Sequence, residues 1–274
     1  MRVEDIDFAI SLTNQEGWGY SRADFLRFIR MDPEGTLVAC AGSTPVGITT
    51  ATLYGEVAWI GNVIVRPEER GKGHGRALVE KALEYSRRSG AETCWLNAYT
   101  HVVPFYESIG FRTRGRTVRL EGQGRGRLLP EPRLAHASEI SAIGAFDRPY
   151  FGADRLKVLK EFYHDYGDSF FVWSKDGIEG YIVGAPYSGG VDVAPWVCDP
   201  SQAAVAEGLL YHLLASHPDA TFGLNVPEEN QQAIAILRSL GFETSFSTIR
   251  MYYGKGSNGI DPRGVFALGG LEKG

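Results

Sequence analysis

The chain carries its apolar residues at two kinds of spacing, and the two kinds follow each other in the same order twice. In the first half, spacings of three and four residues predict amphipathic helices over residues 4–13 and 21–30, with Ser21 as the N-cap of the second. Short apolar runs separated by turn residues then predict antiparallel strands over residues 36–41, 45–54 and 56–65. A helix, a strand, a helix and a strand complete the order. This order predicts an α+β fold in which helices flank a mostly antiparallel, mixed sheet.

The second half repeats recognisable pieces of the first, starting with a helix predicted over residues 138–146. Leu96-Asn97 and the Gly110-Phe111 turn have counterparts in Leu224-Asn225 and Gly241-Phe242, about one domain length away. Each set is typical of a strand, a helix and a turn into another strand. We therefore predict two tandem domains, 1–125 and 126–274, joined near the glycine-rich stretch 122–127, which we expect to bury little. The glycine-rich tail 258–274 is expected to form a last strand over 264–268 or to pack loosely.

Composition narrows the class of protein. The chain has 274 residues, enough for two cores, and its net charge of -5 argues against a general nucleic-acid binder. No apolar run approaches the roughly 18–20 residues of a membrane span and no signal peptide is visible, so we expect a cytoplasmic protein that does not contact membranes.

Three cysteines form no CxxC pair, and Cys94 and Cys198 lie in apolar runs where we expect burial. The six histidines lack metal-ligand spacing, so we expect no metal site.

One loop carries most of the candidate chemistry, and we call it the glycine loop. It lies between an apolar strand and an amphipathic helix, and its residues are Arg70, Gly71, Lys72, Gly73, His74, Gly75 and Arg76. A helix start offers main-chain N–H groups and a positive dipole end to an anion. Glycines let the backbone approach a bulky diphosphate, and no carboxylate lies among these seven residues. The loop therefore predicts a diphosphate site.

Two familiar phosphate-binding patterns fit the glycine loop poorly. It lacks the Gly-x-x-x-x-Gly-Lys-Ser/Thr pattern of a P-loop. It also departs from the dinucleotide fingerprint, because it reads Gly-x-Gly-x-Gly and four residues separate it from the strand. A solvated connection between strand and helix is the plainest alternative.

Residues 63–78, Val-Ile-Val-Arg-Pro-Glu-Glu-Arg-Gly-Lys-Gly-His-Gly-Arg-Ala-Leu, resemble the acetyl-CoA motif of the GNAT (GCN5-related) N-acetyltransferases. Residues 105–111, Phe-Tyr-Glu-Ser-Ile-Gly-Phe, resemble the later helix and Gly-Phe turn of that family. The resemblance covers roughly residues 1–120, with two motifs in the expected order. It implies that the first half is a GNAT domain with acetyl-CoA as the co-substrate, and the internal repeat extends the GNAT-like fold to the second half.

The resemblance also implies roles for individual residues. Acetyl-CoA would lie between two splayed strands, with its diphosphate on the glycine loop. The pantetheine arm and thioester would be held by backbone groups around Val63, Ile64 and Val65, with Asn97 near the pantetheine amide unless it only ends its strand. Tyr106 matches the general acid that protonates the departing thiolate, which a phenol with a pKa of about 10 can do. The alternative for Tyr106 is a packing aromatic. No general base stands out, because Glu56 lies in a hairpin turn.

The second half resembles a degenerate copy. Its corresponding loop, residues 198–204, contains Asp199 and no glycine, and Leu237 takes the place of Tyr106. An aspartate repels a diphosphate, so we expect no productive acetyl-CoA binding there. Residues 146–155 resemble the Asp-Arg and Gly-Ala-Asp-Arg signature of a C-terminal domain fused to some bacterial and archaeal GNAT enzymes. In that resemblance Asp147 could bind a substrate ammonium and Tyr150 could line the pocket. An internal Asp–Arg network is the alternative.

In the first half, Trp18 and Tyr20 lie in the loop that corresponds to the acceptor region, and they are candidate substrate contacts or core residues. The leading hypothesis is an enzyme that transfers acetyl from acetyl-CoA to the amine of a small molecule or amino acid, in the first domain. A sensor that binds CoA and a metabolite with little turnover is the first alternative. A protein acetylase, which needs an open acidic groove, is the second. The acceptor amine and the oligomeric state lie beyond what the sequence indicates.

Overall fold

The computed structural model describes residues 1–256 and 261–274, which divide into two compact units. Of these residues, unit 1 contains 1–113, 251–256 and 273, and unit 2 contains 114–250, 261–272 and 274. The first part of the chain therefore contributes residues after 113 to unit 2, and the second part returns a short stretch to unit 1. A single boundary near residue 125 does not describe this exchange.

Unit 1 begins with two helices, α1 (Ile6–Gln15) and α2 (Arg22–Met31). Ser21 caps α2 as predicted, because its Oγ accepts from the Asp24 N–H at 3.4 Å while its own N–H donates to the Asp24 carboxylate at 2.8 Å. Such a reciprocal capping box satisfies two otherwise unbonded donors. The apolar faces of both helices pack on the sheet around buried Phe25 and Phe28. Burial of each such ring stabilises the fold by roughly 1.5–3 kcal/mol.

The sheet of unit 1 is formed by β1 (Thr36–Ala41), β2 (Thr44–Tyr54), β3 (Val57–Val65) and β4 (Thr93–Tyr99). The first three strands are antiparallel neighbours, and β3 pairs with β4 in parallel. The crossover between β3 and β4 is the helix α3 (His74–Arg88), and the short helix α4 (Val103–Glu107) follows β4. The sheet therefore places the end of β3, the start of α3 and α4 in one region.

Unit 2 repeats the arrangement with its own elements. Its helices are α5 (Ile140–Phe151), α6 (Leu156–Tyr166), α7 (Ala203–Ser216) and α8 (Gln231–Ser239). Its strands are β6 (Arg133–Leu134), β7 (Phe170–Ser174), β8 (Ile178–Tyr187), β9 (Gly190–Cys198), β10 (Phe222–Pro227) and β12 (Val265–Ala267). Again one neighbouring pair, β9 and β10, is parallel, with α7 as the crossover.

Two long strands take part in the exchange of residues. β5 (Arg112–Gly122) starts in unit 1 and pairs antiparallel with β10 in unit 2, with Gly122 opposite Phe222 and Thr117 opposite Pro227. β11 (Glu243–Gly254) starts in unit 2, and its last residues lie beside β4 in unit 1. There the Tyr252 ring packs on Trp95 with centroids 5.6 Å apart.

The glycine-rich stretch 122–127 is packed more closely than the sequence suggests. A Cβ added to Gly126 would lie 2.1 Å from the main-chain nitrogen of Ala215 in α7, and one on Gly124 would lie 2.8 Å from Leu214. The glycines therefore permit a close approach of the backbone to α7, although none of residues 122–127 is fully buried. The predicted strand over 264–268 corresponds to β12, whereas residues 258–260 of the predicted tail lie outside the described residues.

Cys94 and Cys198 are buried, as expected from their apolar runs, and burial raises the pKa of the Cys94 thiol to about 11. Within residues 1–256 and 261–274, no helix has both the length and the apolar character needed to cross a membrane.

Candidate functional site

The glycine loop ends at the first turn of α3. Gly71 and Gly73 have φ angles of +78° and +87°, a region that glycine enters without strain, and Gly73 is the N-cap of the helix. Within the described part of the chain, none of the main-chain N–H groups of residues 71–76 has a hydrogen-bond acceptor. Six main-chain donors at the positive end of a helix dipole form a cradle for an anion.

The cationic side chains of the glycine loop are held by partners that the sequence did not reveal. Arg70 donates to the Glu16 carboxylate at 2.6 Å and to the Val65 carbonyl at 3.0 Å. Glu69 contacts Lys72 at 3.0 Å and His74 at 3.4 Å. These contacts lower the pKa of Glu69, chiefly through the Lys72 hydrogen bond.

Arg76 bonds to the Ser108 hydroxyl at 2.7 Å, just after α4. Arg76 also pairs with Glu80 at 3.4 Å, so three carboxylates from outside the glycine loop, those of Glu16, Glu69 and Glu80, contact its basic side chains.

A wedge-shaped gap opens between β3 and β4. The two strands pair only from Val57 opposite Thr93 to Trp59 opposite Trp95, and then diverge. Beyond Trp59 the edge of β3 that faces β4 is therefore no longer paired with that strand. We call this gap the unit 1 cleft. The predicted residues Val63, Ile64 and Val65 lie on its β3 side, and half-buried Asn97 lies on its β4 side.

A bulge in β3 shapes the same edge. The register between β2 and β3 shifts between Ile48 and Thr50, and opposite the shift Asn62 has a φ of +52°. Among the described residues, it is the one non-glycine residue with a positive φ. The Asn62 side chain donates to the Thr50 hydroxyl at 3.2 Å and is almost fully buried. A positive φ is strained for a residue other than glycine, and the hydrogen bond of the Asn62 side chain stabilises this backbone conformation.

Tyr106 lies in α4, with its ring in edge contact with Phe105 and Phe111 at centroid distances of 5.0 and 5.7 Å. It is 7% exposed. No hydrogen bond joins its hydroxyl to another group in the parts of the chain that are described. Burial raises the pKa of Tyr106 well above its usual range, because the charged phenolate would lose its hydration. The phenol therefore stays protonated at neutral and moderately alkaline pH.

Trp18 and Tyr20 lie in the loop between α1 and α2, on two glycines with positive φ, Gly17 at +70° and Gly19 at +67°. Both aromatic rings are partly buried against the core that contains Phe25. The Tyr20 ring lies 5.6 Å from that of Phe25, and Trp18 meets Tyr20 edge-on at 6.4 Å. The glycine pair lets the loop turn sharply around Trp18, and the salt bridge from Glu16 to Arg70 connects the start of this loop to the glycine loop.

In unit 2, Asp147 is fully buried and engaged by two partners. The Arg155 guanidinium donates to both carboxylate oxygens, at 2.6 and 2.7 Å, and the Tyr181 hydroxyl donates at 2.6 Å. Tyr150 is half-buried, and Gly264 packs against its ring so closely that an added Cβ would lie 2.1 Å away. The structure therefore places both residues in contacts internal to unit 2.

The unit 2 counterpart of the glycine loop is organised by Asp199. Its carboxylate accepts from the N–H and the hydroxyl of Ser201, at 2.8 and 2.7 Å, and its carbonyl accepts from the Gln202 N–H at 2.9 Å. Two main-chain donors before α7, those of Ser201 and Gln202, are thus bonded to Asp199, whereas the N–H groups of residues 71–76 have no acceptor among the described residues.

Sequence reasoning missed the residues that hold the loop and the bulge in place, namely Glu16, Glu69, Ser108, Asn62 and Thr50. Glu16 and Ser108 are distant in sequence from their partners, so no local pattern marks them. Glu69 lies one residue before the glycine loop. Among the described residues, no group of three or more histidine, cysteine, aspartate or glutamate side chains is arranged to hold a metal ion.

Comparison with protein families gives two matches. A family described as Acetyltransferase (GNAT) family matches residues 6–111, and one described as Acetyltransferase (GNAT) domain matches residues 143–267. The two matches follow the two repeats and together span most of the chain.

Among curated proteins, a holothin acyltransferase from Pseudoalteromonas sp. (strain SANK 73390) is 28% identical over 264 residues, covering 94% of this chain and 88% of that protein. A glucosamine 6-phosphate N-acetyltransferase from Trypanosoma brucei brucei is 40% identical over 65 residues, which is 24% of this chain and 44% of that enzyme.

Among solved structures, a proposed acetyltransferase from Pyrococcus horikoshii has a TM-score of 0.84 at 23% identity, covering 100% of this chain and 94% of that one. A tandem GNAT protein from the clavulanic acid biosynthesis pathway has a TM-score of 0.61 at 16% identity, covering 93% and 95%. These likenesses confirm the predicted fold, a mostly antiparallel mixed sheet flanked by helices in a tandem arrangement.

Proposed function

The chain belongs to the GNAT acetyltransferase family, with two family domains in tandem, and from this premise we propose that its first domain transfers the acetyl group of acetyl-CoA to the amine of a small molecule. Acyl transfer in general follows from the family. The use of acetyl-CoA, the site in the first domain and the class of acceptor are our proposals.

The observation that carries the proposal is the cradle of main-chain N–H groups at residues 71–76, placed directly after the strand that borders the unit 1 cleft. A diphosphate on this cradle would accept hydrogen bonds from the helix start and would be attracted by its dipole. The backbone of Gly71 and Gly73 meets no heavy atom where a Cβ would stand, so a bulky anion can approach closely. Lys72, His74 and Arg76 would add positive charge around the same anion, and their contacts with Glu69 and Glu80 are partly exposed, so that displacing these carboxylates costs little.

The unit 1 cleft would bind the remaining part of an acyl-CoA, its extended pantetheine arm and thioester. An extended arm that enters the gap can hydrogen-bond with the open edge of β3 as an added strand would. In a regular strand, the main-chain N–H and C=O groups of successive residues point alternately to the two edges. The bulge at Asn62 interrupts this alternation just before Val63. Arg70 holds the Val65 carbonyl and so fixes the end of this edge. We assign Val63, Ile64, Val65 and Asn97 to contacts with the arm.

Bound acetyl-CoA supplies an acyl thioester that a neutral amine can attack. Tyr106 would then donate its phenolic proton to the departing thiolate sulfur while the new amide bond forms. The raised pKa of Tyr106 keeps this proton in place until it is needed. The same burial that disfavours the phenolate also disfavours an unsolvated thiolate, so proton transfer between them stays balanced. The amine loses one proton as the amide forms, and transfer of this proton through solvent to the Tyr106 phenolate restores the acid, so that the products are the amide and free CoA thiol.

We propose Trp18 and Tyr20 as acceptor contacts, since they lie on a glycine-flanked loop that is tied to the glycine loop through Glu16. The curated relative that acetylates glucosamine 6-phosphate supports a small amine as the acceptor class, although it matches only a quarter of the chain. For Asp147 and Tyr150 we propose a structural role, because their polar and aromatic faces are already engaged inside unit 2.

Thiol release from acetyl-CoA tests the proposal directly. We expect release of free CoA thiol with at least one member of a panel of amino acids, amino sugars including glucosamine 6-phosphate, and holothin. Release that needs an added amine and falls strongly in Tyr106→Phe would support direct transfer. Tight CoA binding without release for any amine would instead favour the sensor alternative and overturn the enzymatic proposal.

A further inference from the structure

Unit 2 contains the same wedge as unit 1. β9 and β10 pair in parallel over three residues, from Val191 opposite Phe222 to Val193 opposite Leu224, and then diverge. The corresponding strands of unit 1 also pair over three residues before they part. The second domain therefore has the framework of a cofactor cleft, even though its loop lacks glycines.

A segment of the chain itself lies in the unit 2 wedge. On the β9 side, Val265 of β12 pairs with Val197, and the Cys198 N–H donates to the Gly264 carbonyl at 3.1 Å. On the β10 side, the Leu268 N–H donates to the Asn225 carbonyl at 2.8 Å. The segment is thus hydrogen-bonded to both diverging strands. In unit 1, no strand of the described chain lies between β3 and β4.

The segment is also anchored by a side chain and by packing. Asn230 donates through Nδ2 to the carbonyls of Arg263 and Val265, at 2.8 and 3.0 Å, while its Oδ1 caps α8 by accepting from the Ala233 N–H at 2.9 Å. Phe266 has no exposed surface, and its ring centroid lies 4.8 Å from that of Trp196.

The same stretch also packs on Tyr150, a candidate substrate contact from the sequence. Gly264 lies against the Tyr150 ring, and the Asp261 N–H donates to the Tyr150 carbonyl at 3.1 Å. Tyr150 is the residue that the sequence offered as a wall of a second acceptor pocket. A small molecule in that position would meet residues of this chain instead of solvent.

We infer that residues 261–268 are the permanent internal occupant of the unit 2 cleft, in the place that the proposed function gives to the pantetheine arm in unit 1. The second domain is therefore a self-occupied scaffold and not a second acyl-CoA site or metabolite sensor. An external ligand would have to displace main-chain hydrogen bonds on both strands and a fully buried aromatic side chain, and unpaired main-chain groups in a core are disfavoured. The inference goes beyond the proposed function and depends on it only for the comparison with unit 1.

Amide hydrogen exchange of the full chain, with and without saturating acetyl-CoA, tests the inference. We expect slow exchange at residues 264–268 and at Cys198, and no change there when acetyl-CoA is added. The matched variant is Asn230→Asp, which keeps the cap on α8 but loses both donations to the segment. It should speed exchange of residues 263–268 by about tenfold or more, the effect of losing two hydrogen bonds, and leave α8 protected.

Two results would overturn the inference. One is exchange of residues 264–268 in the wild type at the rate of an exposed loop. The other is a change in their exchange when acetyl-CoA binds, which would show that the cleft opens for ligand. Absence of any acetyl-CoA protection at the glycine loop would contradict the proposed function instead, and the exchange rate of the β12 segment would still decide the inference.

Discussion

The Gly-Phe turns of the two units have the same hydrogen bonds but hold different side chains. In unit 1 the Phe111 N–H donates to the Tyr106 carbonyl at 3.1 Å, and in unit 2 the Phe242 N–H donates to the Leu237 carbonyl at 3.0 Å. The glycine before each phenylalanine has a positive φ, +107° and +83°. The backbone of the repeat is therefore retained, while the one group able to move a proton is present in unit 1 and replaced by an apolar side chain in unit 2.

The two pairs of diverging strands also differ, both in the main-chain donors beside them and in what lies between them. In unit 1 the helix start after β3 leaves six main-chain donors without acceptors in the described chain, whereas in unit 2 Asp199 accepts from the equivalent region. The wedge beyond β9 contains β12, and none of the described strands lies in the wedge beyond β3. The comparison teaches that the same pair of diverging strands can border an open edge in one unit and pack against a buried segment of the chain in the other.

The largest effect is expected from the side chain that fills the unit 2 cleft. Phe266→Ala should lower the free energy of unfolding by about 3–5 kcal/mol, since it leaves a cavity beside Trp196. The matched change in unit 1 is Val63→Ala, at a half-buried position on the cleft edge, which should cost less than about 1 kcal/mol. Denaturant unfolding measures both. Equal, small losses would show that β12 is not part of the core.

The second-largest effect is expected from Tyr106, the side chain before the Gly-Phe turn of unit 1 that unit 2 replaces with leucine. Tyr106→Phe should lower kcat by roughly 100-fold, within the range for loss of a general acid, and leave acetyl-CoA affinity nearly unchanged. Steady-state kinetics and a CoA titration separate the two quantities. The wild-type kcat should also hold up to at least about pH 10, because the raised pKa of Tyr106 keeps the acid protonated above the ordinary tyrosine value. Unchanged kcat in the variant would remove the acid role.

A smaller effect is expected at the bulge of β3. Asn62→Val should lower kcat/KM by about tenfold, because a β-branched residue resists the positive φ that the bulge requires. Asn62→Gly accepts that conformation and should keep most of the activity despite losing the bond to Thr50. Thermal unfolding of both variants controls for loss of fold. Equal kinetics in the two variants would show that the bulge does not position the reacting groups.

The smallest effect is expected from Glu69, whose carboxylate would compete with the diphosphate of acetyl-CoA for Lys72 and His74. Glu69→Gln should tighten acetyl-CoA binding by a factor of about two to five, because the exposed contacts with Lys72 and His74 that it removes are weak. The gain should shrink in high salt, where surface charges are screened. Glu84→Gln is the control, since Glu84 pairs with Lys81 further along α3. Weaker binding in Glu69→Gln would mean that Glu69 supports the site.

The sequence predicted the fold well because its signals are local. Ser21 caps α2 as expected, the strand over 36–41 has the predicted bounds, and the Gly-Phe turns mark the repeat. It could not predict which strands exchange between units, because β5 finds its neighbour β10 through contacts far apart in sequence. For the same reason the partners of Arg70 and Arg76 were missed. The assignment of the predicted site residues stays a prediction.

A titration of acetyl-CoA against two matched variants tests the central claim that acyl-CoA binds at the glycine loop of unit 1 alone. Gly75 and Ala204 are both the second residue of their helices, α3 and α7. A Cβ at Gly75 would make ordinary contacts, 3.6 Å from Phe105 and 3.8 Å from Val65, so the fold should tolerate a side chain there.

Isothermal titration calorimetry of Gly75→Glu and Ala204→Glu is therefore the decisive measurement. We predict that the first variant weakens binding by at least about 100-fold, since like charges 4 Å apart near a surface repel by roughly 4 kcal/mol, and that the second binds one acetyl-CoA per chain like the wild type. Normal binding by Gly75→Glu, or loss of binding in Ala204→Glu, would contradict the account.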